Sequence, residues 1–156
     1  MTPLGMLSSE DQLSIESRLK DFLKKSESQW AALVEKGGNL FAQCGETLGL
    51  DMSVISALSA GAFSATHELA KRLGEQEFIA LYHEGKDKSI FMNALDFDCL
   101  LIAVFDEKTT IGLVRFYARN ARTEINQDLH TAHVRNSSAP PLHLDVDLSG
   151  SNPLFS

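Results

Sequence analysis

Residues 99–121 read CLLIAVFDEKTTIGLVRFYARNA, and this stretch decides the fold. The uninterrupted apolar run Cys99–Phe105 is typical of a strand that is covered on both faces at the centre of a sheet. Thr109 or Thr110 can cap a helix, which we predict from Ile111 to about Leu129. The inward-facing residues of that helix, at helical spacing, are Val114, Ala118, Ala121 and Ile125. A buried strand followed by an amphipathic helix indicates a domain that mixes both element types.

Four further strands are predicted upstream of this stretch. Trp30–Glu35 and Leu40–Cys44 flank the turn Lys36–Asn39, whose paired glycines favour a tight hairpin. Phe78–Glu84 and Ser89–Leu95 form the first two strands of a meander that ends in Cys99–Phe105. Hairpin-length links between strands predict an α+β domain with a five-stranded antiparallel sheet.

Two helices precede the meander. The first is predicted over residues 10–26, with Ser9 and Gln12 as a capping box. The second is predicted between an N-cap at Asp51 and a C-terminal glycine at Gly74. Its strongest apolar stripe, which we expect to be buried, is Ile55, Leu58, Ala62, Ala65, Leu69 and Leu73.

The opposite face of the second helix is predicted to meet solvent. It is small-sided and almost uncharged, and it comprises Ser53, Ser56, Ala57, Ala60, Ser64, His67 and Lys71. One interpretation is simply a helix rich in serine and alanine. The other is a surface that a partner's backbone or helix approaches closely, and this makes the face our candidate binding surface.

Composition limits the classes of function. The chain has 156 residues, which fits one domain, predicted at residues 1–129, with a flexible tail at 130–156. A formal charge of −7 argues against nucleic acid as a partner. Cys44 and Cys99 are interpreted as reduced thiols of a cytoplasmic protein. Neither a secretory signal nor membrane insertion is predicted. Within the tail, leucine or valine alternates with polar residues over positions 142–148. This alternation is either chance or the pattern of a segment that docks as an added strand.

No catalytic, cofactor or metal site is predicted. Gly85 and Lys86 lie between two strands, whereas a phosphate-binding loop opens a helix. Asp96 and Asp98 fit a solvated turn, and the histidines lack the spacing of metal ligands. We therefore expect a binding protein, and keep a small-molecule binder or enzyme only as a minor alternative.

Three segments together resemble the roadblock/dynein light-chain family, closest to its bacterial MglB-type members. They are LSAGAFSATHELAKRLGEQEF (58–78), HEGKDKSIFM (83–92) and FDEKTTIGLVRFYARNA (105–121). The resemblance runs from about Leu13 to Ala121. It implies a profilin-like sandwich, with the second helix on one sheet face and the first and third on the other.

The resemblance also implies a function. MglB-type proteins form homodimers that bind a Ras-like small GTPase of the MglA type across their paired second helices. They stimulate GTP hydrolysis without an arginine finger and control cell polarity and motility. The resemblance therefore also implies other polarity proteins as candidate partners and a cell pole as a candidate location. Carried over by position, the GTPase contact centres on Ala60 and Ser64, with a contribution from the tail. A non-activating scaffold in a motor or polarity complex is the alternative.

Dimer formation is expected from the sheet edge as well. An edge strand at residues 78–84 would leave unpaired backbone groups, which a second copy can satisfy. The residues predicted at the dimer interface are Phe63, in the seam between the second helices, and Phe78, Ala80 and Tyr82.

Overall fold

The computed structural model describes residues 4–138 and contains three helices and five strands. In chain order they are α1 (Ser9–Ser26), β1 (Trp30–Glu35), β2 (Leu40–Gly45), α2 (Met52–Arg72), β3 (Ala80–His83), β4 (Ser89–Ala94), β5 (Cys99–Phe105) and α3 (Ile111–Ser138). The strands form one antiparallel sheet in the order β2-β1-β5-β4-β3. Helices α1 and α3 cover one face and α2 covers the other, which confirms the predicted fold class.

Strand β5 is central, and every one of its residues is buried. Because side chains alternate along a strand, Leu101, Ala103 and Phe105 join the core under α1 and α3. The alternate residues Leu100, Ile102 and Val104 join the core under α2. The apolar run that begins the quoted stretch therefore supplies both cores at once, as predicted.

Helices α1 and α2 begin at capping residues. The N-cap of α1 is Ser8, one residue before the predicted Ser9. Its hydroxyl accepts from the backbone N–H of Asp11 at 3.1 Å, while the Asp11 carboxylate accepts from the Ser8 N–H at 2.8 Å. The predicted cap Asp51 is confirmed at α2. After the C-cap of α2, Gly74 adopts a φ of +88°, which a glycine accepts without strain.

Helix α3 is longer than predicted. It continues past Leu129 to Ser138, because Leu129 and Ala132 extend the buried stripe of the helix over the core. The predicted flexible tail was therefore placed too early, since residues 130–138 are helical. The remainder of that predicted tail, including the alternating residues 142–148, lies outside the described residues.

The end of α3 is hydrogen-bonded to the N-terminal segment of the chain. The Asn136 side-chain amide donates to the backbone carbonyls of Leu4 at 3.1 Å and Met6 at 2.9 Å. Arg135 forms two hydrogen bonds with the buried carboxylate of Asp11, one of them at 2.9 Å. This guanidinium holds the pKa of Asp11 at about 2. The first and last helices are thereby joined.

Candidate functional site

The inner face of α2 is made mostly of small residues. Ser56, Ser59 and Ala60 are buried against the sheet, and they let the helix backbone approach it closely. The Ser56 hydroxyl donates to the carbonyl of Met52 at 2.7 Å, so its burial leaves no unpaired group. Phe63 is fully buried and is the large inward side chain at the middle of the helix.

The outer face of α2 is apolar and open. Val54, Leu58, Leu69 and Leu73 are 50%, 66%, 58% and 74% exposed. Together with the exposed Ala62 and Ala65, they recur every three or four residues and form one stripe along the helix. We call these six residues the apolar stripe. Contiguous exposed apolar surface of this kind is typical of surfaces that bind another molecule, which makes the stripe the candidate site.

The predicted orientation of α2 is therefore wrong. The stripe expected to be buried faces outward, apart from the half-buried Ile55. Ser56 and Ala60, predicted as partner contacts, are 0% and 1% exposed beneath the helix itself. The α2 side chains that enter the core above Trp30 are those of Met52, Ala60 and Phe63, with Ile55 packed against it.

The other predicted contact residues fall on the borders of α2. Ser53, Ala57, Ser64 and Lys71 are exposed beside the apolar stripe, whereas His67 is half-buried. The first four can reach a partner that covers the stripe. The signal that could have located the stripe was Phe63, because an aromatic side chain among serines and alanines marks the buried side of a helix.

Phe63 itself contradicts the predicted dimer seam. Its ring is 0% exposed and lies 4.8 Å from the ring of Phe78, centroid to centroid, within the core under α2. It cannot contact a second copy unless α2 leaves the sheet. Phe78 is half-buried by the same contact and precedes β3 instead of lying within it.

Strand β3 is an edge of the sheet. Within residues 4–138 it pairs with β4 alone, in the register Ala80–Asn93 to His83–Ile90. Ala80 and Tyr82 are half-buried, and the Tyr82 ring stacks on Phe105 with centroids 6.1 Å apart. The outer backbone groups of β3 therefore offer a second attachment surface, separate from the apolar stripe.

The acidic and thiol side chains considered in the sequence have separate local environments. Asp96 and Asp98 face different partners, since His130 Nε2 lies 2.8 Å from Asp96 and Lys36 Nζ lies 3.4 Å from Asp98. Burial raises the pKa of the Cys99 thiol to about 12. Among residues 4–138, no three histidine, cysteine or acidic side chains gather as metal ligands would. In the same part of the chain, none of the helices has the length and apolarity to cross a bilayer.

The sequence profile of the Roadblock/LC7 domain matches residues 15–105, which is more than half of the chain. The chain belongs to the Roadblock/LC7 family. This confirms the resemblance and the fold inferred from the sequence. A comparison with curated protein sequences found no match.

Solved structures of roadblock proteins are similar to this chain. MglB of Myxococcus xanthus is 30% identical, with 81% of this chain and 95% of that chain covered and a TM-score of 0.76. The gliding protein MglB of Thermus thermophilus is 23% identical, with 84% and 99% covered and a TM-score of 0.75. An MglB in a tetrameric arrangement is 23% identical, with 85% and 99% covered and a TM-score of 0.76.

Proposed function

We propose that this roadblock protein is a homodimeric regulator of a Ras-like small GTPase of the MglA type. It binds the GTPase through the outer face of α2, accelerates GTP hydrolysis and so controls cell polarity or motility. The observation that carries the proposal is the apolar stripe, which is exposed to solvent on a chain whose fold is similar to that of MglB. Its place of action is the cytoplasm, with a cell pole as the expected site.

Dimerisation joins two copies at the β3 edge. Pairing of the edges would satisfy the outer backbone groups of β3 and continue the sheet across both copies. Ala80 and Tyr82 stand in this edge, and Phe78 precedes it. In place of the buried Phe63, we assign the seam between the two α2 helices to one flank of the apolar stripe.

The remaining stripe, with Ser53, Ala57, Ser64 and Lys71 beside it, forms the contact for one GTPase per dimer. The small and apolar side chains allow close approach, and Lys71, at the C-terminal end of the helix, is the one ionised group among these contact residues. The one arginine on α2, Arg72, is engaged by Glu68 at 3.4 Å at the C-terminal end of the helix. The regulator therefore acts by positioning the switch residues of the GTPase, and the catalytic groups belong to the partner.

The test is GTP hydrolysis by an MglA-type GTPase with substoichiometric amounts of this protein. Wild type should accelerate phosphate release, and Leu58→Arg should abolish the acceleration by placing a charge in the apolar stripe. Leu13→Arg is the matched control, because Leu13 is 67% exposed on α1, on the other side of the sheet. Arg72→Ala should keep full activity. Absence of acceleration by wild type, or equal loss in both leucine variants, would overturn the proposal.

The dimer is tested separately by light scattering. Wild type and Leu13→Arg should be dimers at micromolar concentration, and a monomeric wild type would contradict the proposed assembly. Replacing Leu81 by proline, which cannot donate a backbone hydrogen bond, is not a clean test because Leu81 also packs in the core under α2. Scattering is therefore combined with His83→Glu, because His83 is the exposed residue of β3 and a negative charge at the edge should weaken the dimer.

A non-activating scaffold is the second candidate. The observation that favours it is the exposure of four aliphatic side chains in the apolar stripe, which is enough to bind a partner without acting on its nucleotide pocket. A scaffold would bind the GTPase, or a motor or polarity protein, with unchanged hydrolysis. The same hydrolysis assay, run beside a binding measurement, separates the two functions.

A further inference from the structure

A second candidate site lies on the side of the sheet opposite α2, between α3 and the strands β3 and β4. It is a groove of about 560 Å³. Arg115, Arg119 and Arg122 line it from α3, and Ile79 and Asn93 line it from the sheet side. We call it the arginine groove. It is separate from the apolar stripe, because α2 packs on the other face of the sheet.

The arginine groove is positively charged. Its lining contains three arginines and no acidic side chain. Within residues 4–138, none of these arginines forms an ion pair. The two acidic residues of α3, Glu124 and Asp128, pair instead with Arg18 of α1. Like charges at neighbouring positions on a helix face repel each other, so an anionic occupant would be stabilising here.

Two of the guanidinium groups are held against the sheet. Arg122 Nε donates to the backbone carbonyl of Ala94 at 3.0 Å, and the guanidinium carbon of Arg115 lies 5.7 Å from the centroid of the Phe91 ring. Arg119 lies between them on the helix and is exposed. Because a guanidinium has five N–H groups, these contacts leave donors available for carboxylates.

A buried amide adds a second requirement. Asn93 is 5% exposed and lines the groove, and its side-chain oxygen has no hydrogen-bond partner in the described part of the chain. An unpaired buried acceptor is destabilising, and an N–H group of an occupant would satisfy it. The arginine groove therefore fits a ligand that combines negative charge with an N–H donor.

The shape of the groove favours an extended ligand. A second hollow of about 540 Å³ shares Arg122 and Thr123 with it and continues along α3 to Thr131. From Arg115 to Thr131 the axis of α3 advances about 24 Å, which is the length of about seven extended residues. A peptide fits a trough of this length better than a compact small molecule does.

We propose that the arginine groove binds an extended peptide segment of a protein partner, with acidic residues at alternate positions. Alternate side chains of an extended chain lie on one side, about 6.6 Å apart, and Arg115 and Arg119 are about 6 Å apart along α3. Two carboxylates of the segment thus meet two guanidinium groups, and a backbone N–H of the segment donates to Asn93. This partner can bind while the apolar stripe is occupied. The inference does not depend on the proposed GTPase function.

Fluorescence anisotropy tests the binding. The probe is the peptide Gly-Glu-Leu-Glu-Leu-Glu-Gly, labelled with fluorescein and titrated with the full-length protein. We expect saturable binding that weakens severalfold between about 50 and about 300 mM NaCl, since salt screens exposed charge pairs. The matched control peptide, with glutamine in place of each glutamate, should not bind. Absence of saturable binding by the glutamate peptide, or equal binding of the glutamine peptide, would overturn the proposal.

Charge reversal locates the site. Each exposed ion pair is expected to contribute a factor of about two to five to Kd, and reversal adds repulsion, so Arg119→Glu should raise Kd by about tenfold. A peptide with lysine in place of glutamate should bind this variant better than wild type. Lys71→Glu makes the same change in net charge on α2 and should leave Kd unchanged. Equal losses in the two variants would refute the assignment to the arginine groove.

Competition separates a peptide from a phosphorylated small ligand. Inorganic pyrophosphate is too short to follow the groove and has no N–H donor, so it should displace the peptide only far above the Kd of the peptide. Tighter binding of pyrophosphate than of the peptide would overturn the proposal. Methylation of one peptide backbone nitrogen at a time should raise Kd severalfold at one position, and no effect at any position would refute the contact with Asn93.

Discussion

The orientation of α2 makes a strong prediction about Phe63 and Leu58. Phe63 is 0% exposed, its ring packs 4.8 Å from that of Phe78, and Lys36 Nζ lies 5.9 Å from its centroid. Phe63→Ala therefore removes a fully buried ring and leaves a cavity, which costs about 3–5 kcal/mol in the free energy of unfolding. Leu58 is 66% exposed, so Leu58→Ala should cost less than about 0.5 kcal/mol in the monomer.

Equilibrium unfolding in urea measures both values. Trp30, the single tryptophan, is buried in the core under α2 and reports the loss of that core by fluorescence. Measurements at protein concentrations a hundredfold apart separate subunit contacts from intrachain packing, because a contact in a dimer makes stability depend on concentration. A larger loss for Leu58→Ala than for Phe63→Ala at the lower concentration would refute the outward orientation of the apolar stripe.

Three other perturbations test the fold. Asp11→Ala should lower the unfolding free energy by about 1–3 kcal/mol, because the Ser8 N–H loses its acceptor in the capping box and Arg135 loses its carboxylate partner. Because the folded pKa of Asp11, about 2, lies below the ordinary 3.8, the ionised carboxylate stabilises the fold above pH 3.8. The difference in unfolding free energy between wild type and the variant should therefore shrink as the pH falls from 3.8 toward 2. Gly45→Ala should cost more than about 2 kcal/mol, since φ is +105° and the added carbon would meet a backbone oxygen at 2.3 Å. Mass spectrometry after alkylation at pH 8 should find Cys44 modified and Cys99 protected, because the pKa of Cys99 is about 12.

These perturbations also have clear contrary outcomes. If the thermal stability of the Asp11 variant depended on pH as strongly as that of wild type, the lowered pKa of the Asp11 carboxylate would be refuted. An alanine at Gly45 without effect on the urea midpoint would contradict the close approach of the strand backbones. Rapid modification of Cys99 in the folded protein would contradict its burial.

The strands could be predicted from the sequence because their signals are local. The continuous apolar runs in β1 and β5 need no information from the rest of the chain, and both are observed with the predicted bounds. The same holds for the N-cap Asp51. The end of α3 is only partly a local matter: Leu129 and Ala132 continue the periodic buried stripe, but beyond them Arg135 and Asn136 are held by the N-terminal segment. Helical periodicity carries no record of such contacts.

The candidate site could be predicted only in part. Sequence reasoning selected α2 as the binding element, yet it assigned the leucines to the core because apolar residues are usually buried. A helix that is apolar on one side and small on the other offers two inward orientations. In the structure Phe63 packs on Phe78 against the sheet, and the leucines face outward.

The contacts between the N-terminal segment and the end of α3 have a consequence for biosynthesis. Its contacts join positions 124 and 132 residues apart, from Asp11 to Arg135 and from Leu4 to Asn136. Contacts so remote along the chain close late, after local structure has formed. During translation the carboxylate of Asp11 has no guanidinium partner until residue 135 has left the ribosome, so the start of the first helix is fixed only after the sheet and the other two helices have been synthesised.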